Sequence, residues 1–159
     1  MSRTPVMLFG VMVVLLLLAS SRSTAQAVRK IGGEFIVNTV TTGVQRESSV
    51  ALRDNHQFIV VWSGDIPGQG RDIRGRAFDW DGTPRGDEFP VNTITIDNQN
   101  EVAIETTAAG SFAVVWVDRE DSQGPGIHGD IRARLFTGDE TPGTGELTIR
   151  DSGPGTGLN

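Results

Sequence analysis

The chain has 159 residues, no cysteine, and 20 acidic residues against 14 basic ones. A net charge of −6 repels a phosphate backbone, so the composition argues against nucleic acid as a partner. Without cysteine there is neither a disulfide framework nor a cysteine for a lipid anchor. Stability must therefore come from the apolar core, a bound ion or assembly.

The first 27 residues have the three parts of a secretory signal peptide. A short start with Arg3 is followed by an apolar run at 6–19, and Ala25-Gln26-Ala27 matches a cleavage pattern. This run is shorter than the roughly 20 residues that a membrane-spanning helix needs. The sequence predicts cleavage after Ala27 and a secreted, extracellular or periplasmic protein with no membrane span after cleavage.

The rest of the chain repeats itself, which is the first property to look for in a sequence. GGEFIVNT at 32–39 returns as GDEFPVNT at 86–93, and FIVVW returns as FAVVW, both 54 positions later. Four inserted residues then change the offset to 58. We expect one domain at 28–150 and a flexible Gly- and Pro-rich tail at 151–159. The domain contains a first repeat at about 32–85, a second at about 86–143 and the start of a third at 144–150.

Each repeat predicts four β-strands, because short apolar or alternating runs lie between Gly, Asn, Asp and Pro. No segment after the signal has a helical period, so the predicted fold class is all-β. In chain order the predicted strands are a (34–38), b (49–53), c (58–63) and d (73–79), then a second a (88–92), b (101–106), c (111–117) and d (131–137).

The strands differ in a way that predicts their order. Strand c is apolar throughout and should be covered on both faces, whereas Pro90 places strand a at an edge. We expect an antiparallel meander in the order a-b-c-d with a and d as edges, similar to a β-propeller blade. Two blades do not close a ring. Three interpretations stay open: a ring shared by several chains, a truncated remnant of a larger repeat protein, and a two-sheet β-sandwich.

The motif G-x-E-F-x-V-N-T, followed by F-x-V-V-W and D-I-R-G-R-x-F-D-x-D-G-T-P, resembles a tandem β-repeat of large secreted and surface proteins of bacteria. The resemblance covers residues 32 to about 149. It implies propeller-like β structure and a binding or scaffolding role beside neighbouring repeats. A homo-oligomer is the partner expected if several chains share one ring. The second repeat departs from the motif where Thr137 and Gly138 replace Asp79 and Trp80.

A candidate ligand site lies in the turn Asp79-Trp80-Asp81-Gly82. Asp-Gly is turn chemistry, but it does not explain an indole at the tip of the turn. An exposed indole flanked by Asp79 and Asp81 can stack on a sugar ring while the carboxylates accept hydroxyl hydrogens. The alternative is that Trp80 covers a neighbouring loop or joins subunits. Trp62 and Trp116, on strand c, are expected in the core.

A second candidate is a calcium site in the loop between strands c and d of the second repeat. Asp118, Glu120, Asp121 and Asp130 supply the oxygen ligands that calcium prefers, and Asp65 and Asp72 lie in the first repeat's loop. The alternative is a solvated acidic loop, because no known calcium-loop spacing is present. No other cofactor is expected.

Catalysis has little support in the sequence. There is no cysteine nucleophile, G-x-S-x-G, HExxH or phosphate-binding glycine loop, and His56 and His128 lie in predicted turns or loops. We expect a non-enzymatic binding or scaffolding protein, with glycans or a cell surface as candidate ligands. The alternatives are an extracellular polysaccharide hydrolase with rim carboxylates and a truncated remnant without its own function.

Overall fold

The computed structural model describes residues 32–54, 56–119 and 129–150. Every regular element in these ranges is a β-strand, so the predicted all-β class is confirmed. In chain order they are β1 (Gln45–Arg53), β2 (Gln57–Ile66), β3 (Gly70–Asp79), β4 (Phe89–Pro90), β5 (Asn98–Thr106), β6 (Phe112–Arg119), β7 (Gly129–Phe136) and β8 (Leu147–Arg150). The predicted signal peptide and C-terminal tail lie outside the described residues. No described segment is a helix of the length and hydrophobicity needed to cross a bilayer.

The strands form two antiparallel meanders of four strands each. β1 to β4 form the first meander and β5 to β8 the second, with each strand paired to the next in the chain. A single parallel pair, Arg71 with Asn98, joins the two meanders into one mixed eight-stranded sheet. Each repeat sequence therefore supplies its b, c and d strands to one meander.

The predicted position of strand a is wrong. Residues 34–38 form no strand, and the second a segment is reduced to β4, which pairs with strand d of the preceding repeat. β8 pairs with β7 in the same way. The order in each meander is thus b-c-d followed by the next repeat's a. The physical reason is that an a segment finds its partner in the repeat before it, and no described strand precedes 34–38.

The predicted long loop after strand c of the first repeat is also wrong. β2 continues to Ile66 and β3 starts at Gly70, so only a tight turn separates the strands. Gly68 makes this turn possible because its φ of 80° is a left-handed conformation. Asp65 and Asp72, predicted in the loop, are strand residues instead.

The two meanders stack with unlike faces together. We call the sheet side that carries Val60 and its equivalent Val114 the front face, and the side that carries Val61 and its equivalent Val115 the back face. The core contains the back face of the first meander and the front face of the second. It consists of Ala51, Ile59, Val61, Ile73 and Ala77 from the first meander, Val102, Ile104, Phe112, Val114, Trp116 and Phe136 from the second, and Val91 from the connection.

Two polar contacts recur in both repeats and hold each a segment against its neighbours. The carboxylate of Glu88 accepts hydrogen bonds from the backbone N–H and hydroxyl of Thr39, and Glu146 does the same for Thr93. The guanidinium of Arg76 donates to the Val37 carbonyl at 3.1 Å. Arg134 repeats this contact at Val91. The repeated motif letters therefore encode bonds between successive repeats.

Candidate functional site

The turn after β3 holds Trp80 at the surface, with 58% of the residue exposed. Its backbone N–H donates to the carbonyl of His56 at 2.9 Å. The imidazole of His56 meets the indole edge-on, with 6.1 Å between ring centroids. Two turns of the first repeat, one after β1 and one after β3, thus form a single small aromatic surface. We call Trp80, His56, Asp79, Asp81 and Arg85 the Trp80 rim.

Both predicted carboxylates lie on this rim and have partners in it. The Asp79 carboxylate pairs with Arg85 at 2.9 Å. Asp81 accepts the Thr83 backbone N–H at 2.9 Å, and hydrogen bonds from Thr83 lower the pKa of Asp81. A carboxylate offers about four lone-pair sites, so the hydrogen bonds from Thr83 leave capacity for ligand hydroxyls. Trp80, Asp79 and Asp81 thus lie on one exposed turn, and ligand binding by them stays a prediction.

His56 is the aromatic rim residue that sequence reasoning missed. Its φ is 59°, which is a left-handed conformation. This conformation is unfavourable in free energy for any residue other than glycine. In the second repeat the positions equivalent to His56 and Trp80 are Gly110 and Gly138, which lie against each other through their backbones. This paired replacement is the sequence signal that could have revealed the contact: His56 corresponds to a glycine 54 positions later, and Trp80 to a glycine 58 positions later.

The described part of the predicted calcium loop is arranged around a guanidinium. Asp118 in β6 lies opposite Asp130 in β7, and Arg132 approaches their carboxylates at 2.6 and 3.6 Å. Asp118 also accepts the Gln99 amide at 2.7 Å. Glu120 and Asp121 lie outside the described residues. Within the described ranges no three His, Cys, Asp or Glu side chains group to hold a metal ion. Calcium stays a prediction for the complete loop.

The front face of the first meander carries an open groove of about 210 Å³. Trp62, Val60 and Gln45 line it from the strands, and Val37 and Asn38 line it from the N-terminal segment. Trp62 donates its indole N–H to Gln45 at 3.0 Å, and Trp116 donates to Gln99 at 2.9 Å in the second repeat. The groove is thus built from the same parts as the buried core of the second repeat.

The first meander fills the equivalent position on the second repeat. Ser63 donates its hydroxyl to the Gln99 carbonyl at 2.6 Å, and the Ile73 backbone N–H donates to the side chain of Asn92 at 2.7 Å. These contacts bury the front face around Trp116, which is 1% exposed. The groove on the first meander is therefore the positional equivalent of the surface that the first meander covers on the second repeat.

No protein-family model matches the chain, and the search of curated proteins found no match.

Proposed function

We propose that the protein is an exported, non-enzymatic scaffolding module that docks further β-units of its own kind at its two ends. The observation that carries this proposal is the stacking of a back face on a front face. The signal-peptide pattern at 1–27 supports export, and the resemblance to tandem repeats of bacterial surface proteins supports the scaffolding role.

Stacking of a back face on a front face leaves the front face of the first meander exposed at one end and the back face of the second meander exposed at the other. These two exposed faces are of the same two kinds that stack inside the protein. Val61 is fully buried on the inner back face, but its equivalent Val115 is 37% exposed. Ile104 on the inner front face is 8% exposed, but its equivalent Val50 is 60% exposed. Apolar side chains on both outer faces gain free energy when they leave water. Contact between unlike faces repeats without limit or closes into a ring. This supports a propeller-like ring or an open array over a two-sheet sandwich.

A chain with an added repeat tests the proposal. Residues 93–150 are joined again after Arg150, so that a third repeat follows β8 in the natural order. We expect one cooperative unfolding transition and a higher urea midpoint than the two-repeat chain, because each new interface stabilises both neighbours. An added repeat that unfolds in a separate transition at lower urea would sink the scaffolding proposal.

Glycan binding at the Trp80 rim is a second candidate. It is favoured by an indole that lies edge-on to His56 yet leaves more than half of its surface open. The expected complex stacks a sugar ring on the indole, with hydroxyls bonded to Asp79 and Asp81. A glycan array followed by titration of Trp80→Ala tests this. We expect at least a tenfold loss of affinity, about 1.4 kcal/mol, with Leu52→Ala as the control at another exposed apolar position.

The same titration separates binding from hydrolysis. A polysaccharide hydrolase needs an acid and a second carboxylate across the scissile bond. Asp79 and Asp81 are held in one turn by Arg85 and Thr83, which suits fixed hydrogen-bond acceptors. We expect bound oligosaccharide to be recovered intact. New reducing ends that vanish in Asp79→Asn would assign the rim to catalysis.

A further inference from the structure

Asn92 joins the a segment of the second repeat to strand d of the first. Its side chain accepts the Ile73 backbone N–H at 2.7 Å and donates to the Asp72 carboxylate at 2.8 Å. It also donates to the Ile94 carbonyl at 2.8 Å, two residues further along the chain. The bond to Ile94 is local, whereas the other two cross to β3. Asn92 thus fixes the a segment onto the strand of the neighbouring repeat.

Phe89 makes a second contact between the a segment and β3. Its ring packs on Phe112 and Phe136 of the second meander and lies against Gly75 of the first. A Cβ atom on Gly75 would stand 2.6 Å from the Phe89 ring, which is closer than carbon atoms pack. Because two rings already pack against Phe89, it has little room to give way. The position opposite this phenylalanine therefore needs a glycine.

Residues 34–38 repeat this arrangement without a neighbouring strand. Phe35 packs on the Phe78 ring with 5.3 Å between centroids, in the manner of its equivalent in the second repeat. Asn38 keeps the local bond, to the Val40 carbonyl at 2.6 Å. Among the described residues no strand pairs with this segment, and Phe35 is 46% exposed. The segment therefore holds the position of a fourth strand, but the three strands of its sheet are not among the described residues.

The interface inside the protein defines the partner that fits this segment. The partner's strand d needs an Asp-Ile pair for Asn38 and a glycine for Phe35, as β3 provides for the second repeat. Its strand c needs a serine, because Ser63 donates its hydroxyl to the Gln99 carbonyl at 2.6 Å. Gln45 is the equivalent of Gln99 and lines the groove on the first meander. A fitting β-unit therefore carries all of these residues and has an open edge at strand d.

A second copy of this chain does not offer these features on an open surface. Its first meander carries them, but β4 occupies the edge of β3 and Ser63 is fully buried. Its second meander has Val117 at the position of Ser63 and Ala133 at the position of Gly75. The edge of β7 is also occupied, since β8 pairs with it. The fitting partner is therefore a different β-unit.

We propose that residues 34–38 form a docking strand for a β-unit of another protein. This β-unit has Val-Trp-Ser in its strand c, Asp-Ile-x-Gly in its strand d and no fourth strand of its own. Asn38 bonds to the Asp-Ile pair, Phe35 lies against the glycine, and the unit's back face covers the groove at Trp62. The partner follows from the interface inside the protein, since both surfaces are built from equivalent residues. This inference rests on the proposed scaffolding function and names the sequence that the docked unit carries.

An N-terminal extension made of the chain's own first-repeat strands supplies this β-unit as a probe. Residues 45–85 are added directly before Gly32 of the chain 32–159, which keeps the natural junction because Gly32 corresponds to Gly86. We expect one unfolding transition with a higher urea midpoint than that of the chain 32–159 alone. Gly75→Ala in the added copy should remove the gain, although alanine within a strand is itself more stable than glycine. No gain over the chain alone, or the same gain in both versions, would overturn the inference.

A second substitution shows whether the loss comes from the Phe35 ring. In extended chains with Phe35→Ala, the ring that a Cβ on Gly75 would meet is absent. Gly75→Ala in the added copy should then lower the midpoint no further. A decrease of the same size with and without the ring would mean that the glycine acts within the added unit, which would contradict the docking contact.

Cleavage of the extended chain tests docking between separate chains. A protease site is placed in the turn after β3 of the added copy, and the cut protein is passed through a size-exclusion column. We expect residues 45–85 to stay bound, and Asn38→Ala to weaken their binding about tenfold, because Asn38 supplies two hydrogen bonds. Loss of the cut unit from the unsubstituted protein would overturn the inference. If the chain with residues 93–150 added after Arg150 still unfolds cooperatively, the scaffolding function stands and only the docking strand is excluded.

Discussion

Arg53 at the end of β1 and Glu140 in the turn after β7 form an ion pair of 2.7 Å that ties the two meanders together. The Arg53 side chain is 2% exposed, and its guanidinium lies over the Phe112 ring at 5.3 Å. Because this charge is removed from water, the carboxylate of Glu140 is needed to balance it.

Glu140→Ala should lower the free energy of unfolding by about 3 kcal/mol, because it leaves the Arg53 charge buried without its partner. Glu105→Ala is the control at an exposed carboxylate, and we expect a change of about 0.5 kcal/mol or less there. Urea denaturation with a constant m-value measures both. Equal effects of the two substitutions would mean that the pair does not couple the meanders.

Acidification should weaken the contact between repeats through Glu88. Burial raises the pKa of Glu88, but hydrogen bonds from Thr39 and Val40 and the charge of Arg74 outweigh it, so the pKa lies below 4.5. A carboxylate with a lowered folded-state pKa contributes stability above its unfolded pKa and loses it as the pH falls through the folded pKa. We therefore expect Glu88→Gln to flatten the fall in stability below pH 4.5.

Urea midpoints measured from pH 7 down to about pH 3 test this, since that range spans ordinary carboxylate pKa values. Glu105→Gln serves as the control for the loss of one acidic residue. If the natural chain and Glu88→Gln lose stability in parallel over this range, then Glu88 is not a source of the acid sensitivity.

Val61 and Val115 occupy equivalent positions in two different environments. Val61 is fully buried between the meanders, whereas Val115 lies on the outer back face and is 37% exposed. Val61→Ala should cost about 2 kcal/mol of unfolding free energy, and Val115→Ala less than about 1 kcal/mol in the monomer. Thermal unfolding at low protein concentration measures the difference. Similar costs would contradict the stacking of a back face on a front face.

His56→Gly should raise stability by about 1 kcal/mol, because it removes a side chain from a left-handed backbone conformation and reproduces the Gly110 turn. The same substitution removes the imidazole that faces Trp80 at 6.1 Å. We expect the Trp80 fluorescence to shift to longer wavelength and any glycan affinity to fall. Lower stability in His56→Gly would show that the imidazole contact outweighs the backbone cost.

Much of the fold could be predicted from the sequence. The b, c and d strands of both repeats follow from apolar runs and turn residues. FIVVW and FAVVW lie in β2 and β6, as expected. The partner of strand a could not be predicted, because hydrophobic period describes which face a residue occupies and not which strand it pairs with. Pro90 correctly indicated an edge strand, but that strand, β4, is the edge of the first meander and not of the second.

The candidate site could be predicted in part. An indole between Asp79 and Asp81 in a Gly turn predicts exposure, and Trp80 is exposed. His56 was missed because its contact with Trp80 joins two turns that lie far apart in sequence. Acidity alone makes Asp118 a predicted calcium ligand. Its partners Gln99 and Arg132 lie on neighbouring strands, and only the strand register places them within hydrogen-bond distance.

The pairing of β4 with β3 puts the structural unit out of phase with the repeating sequence unit. The first strand of each repeat of about 54 residues completes the meander of the preceding repeat, and the remaining strands form the next meander. Each added repeat is therefore linked to the repeat before it by main-chain hydrogen bonds. Duplication of a whole repeat can therefore lengthen such a protein without a new linking sequence, since every copy carries the a segment that pairs with strand d of the copy before it.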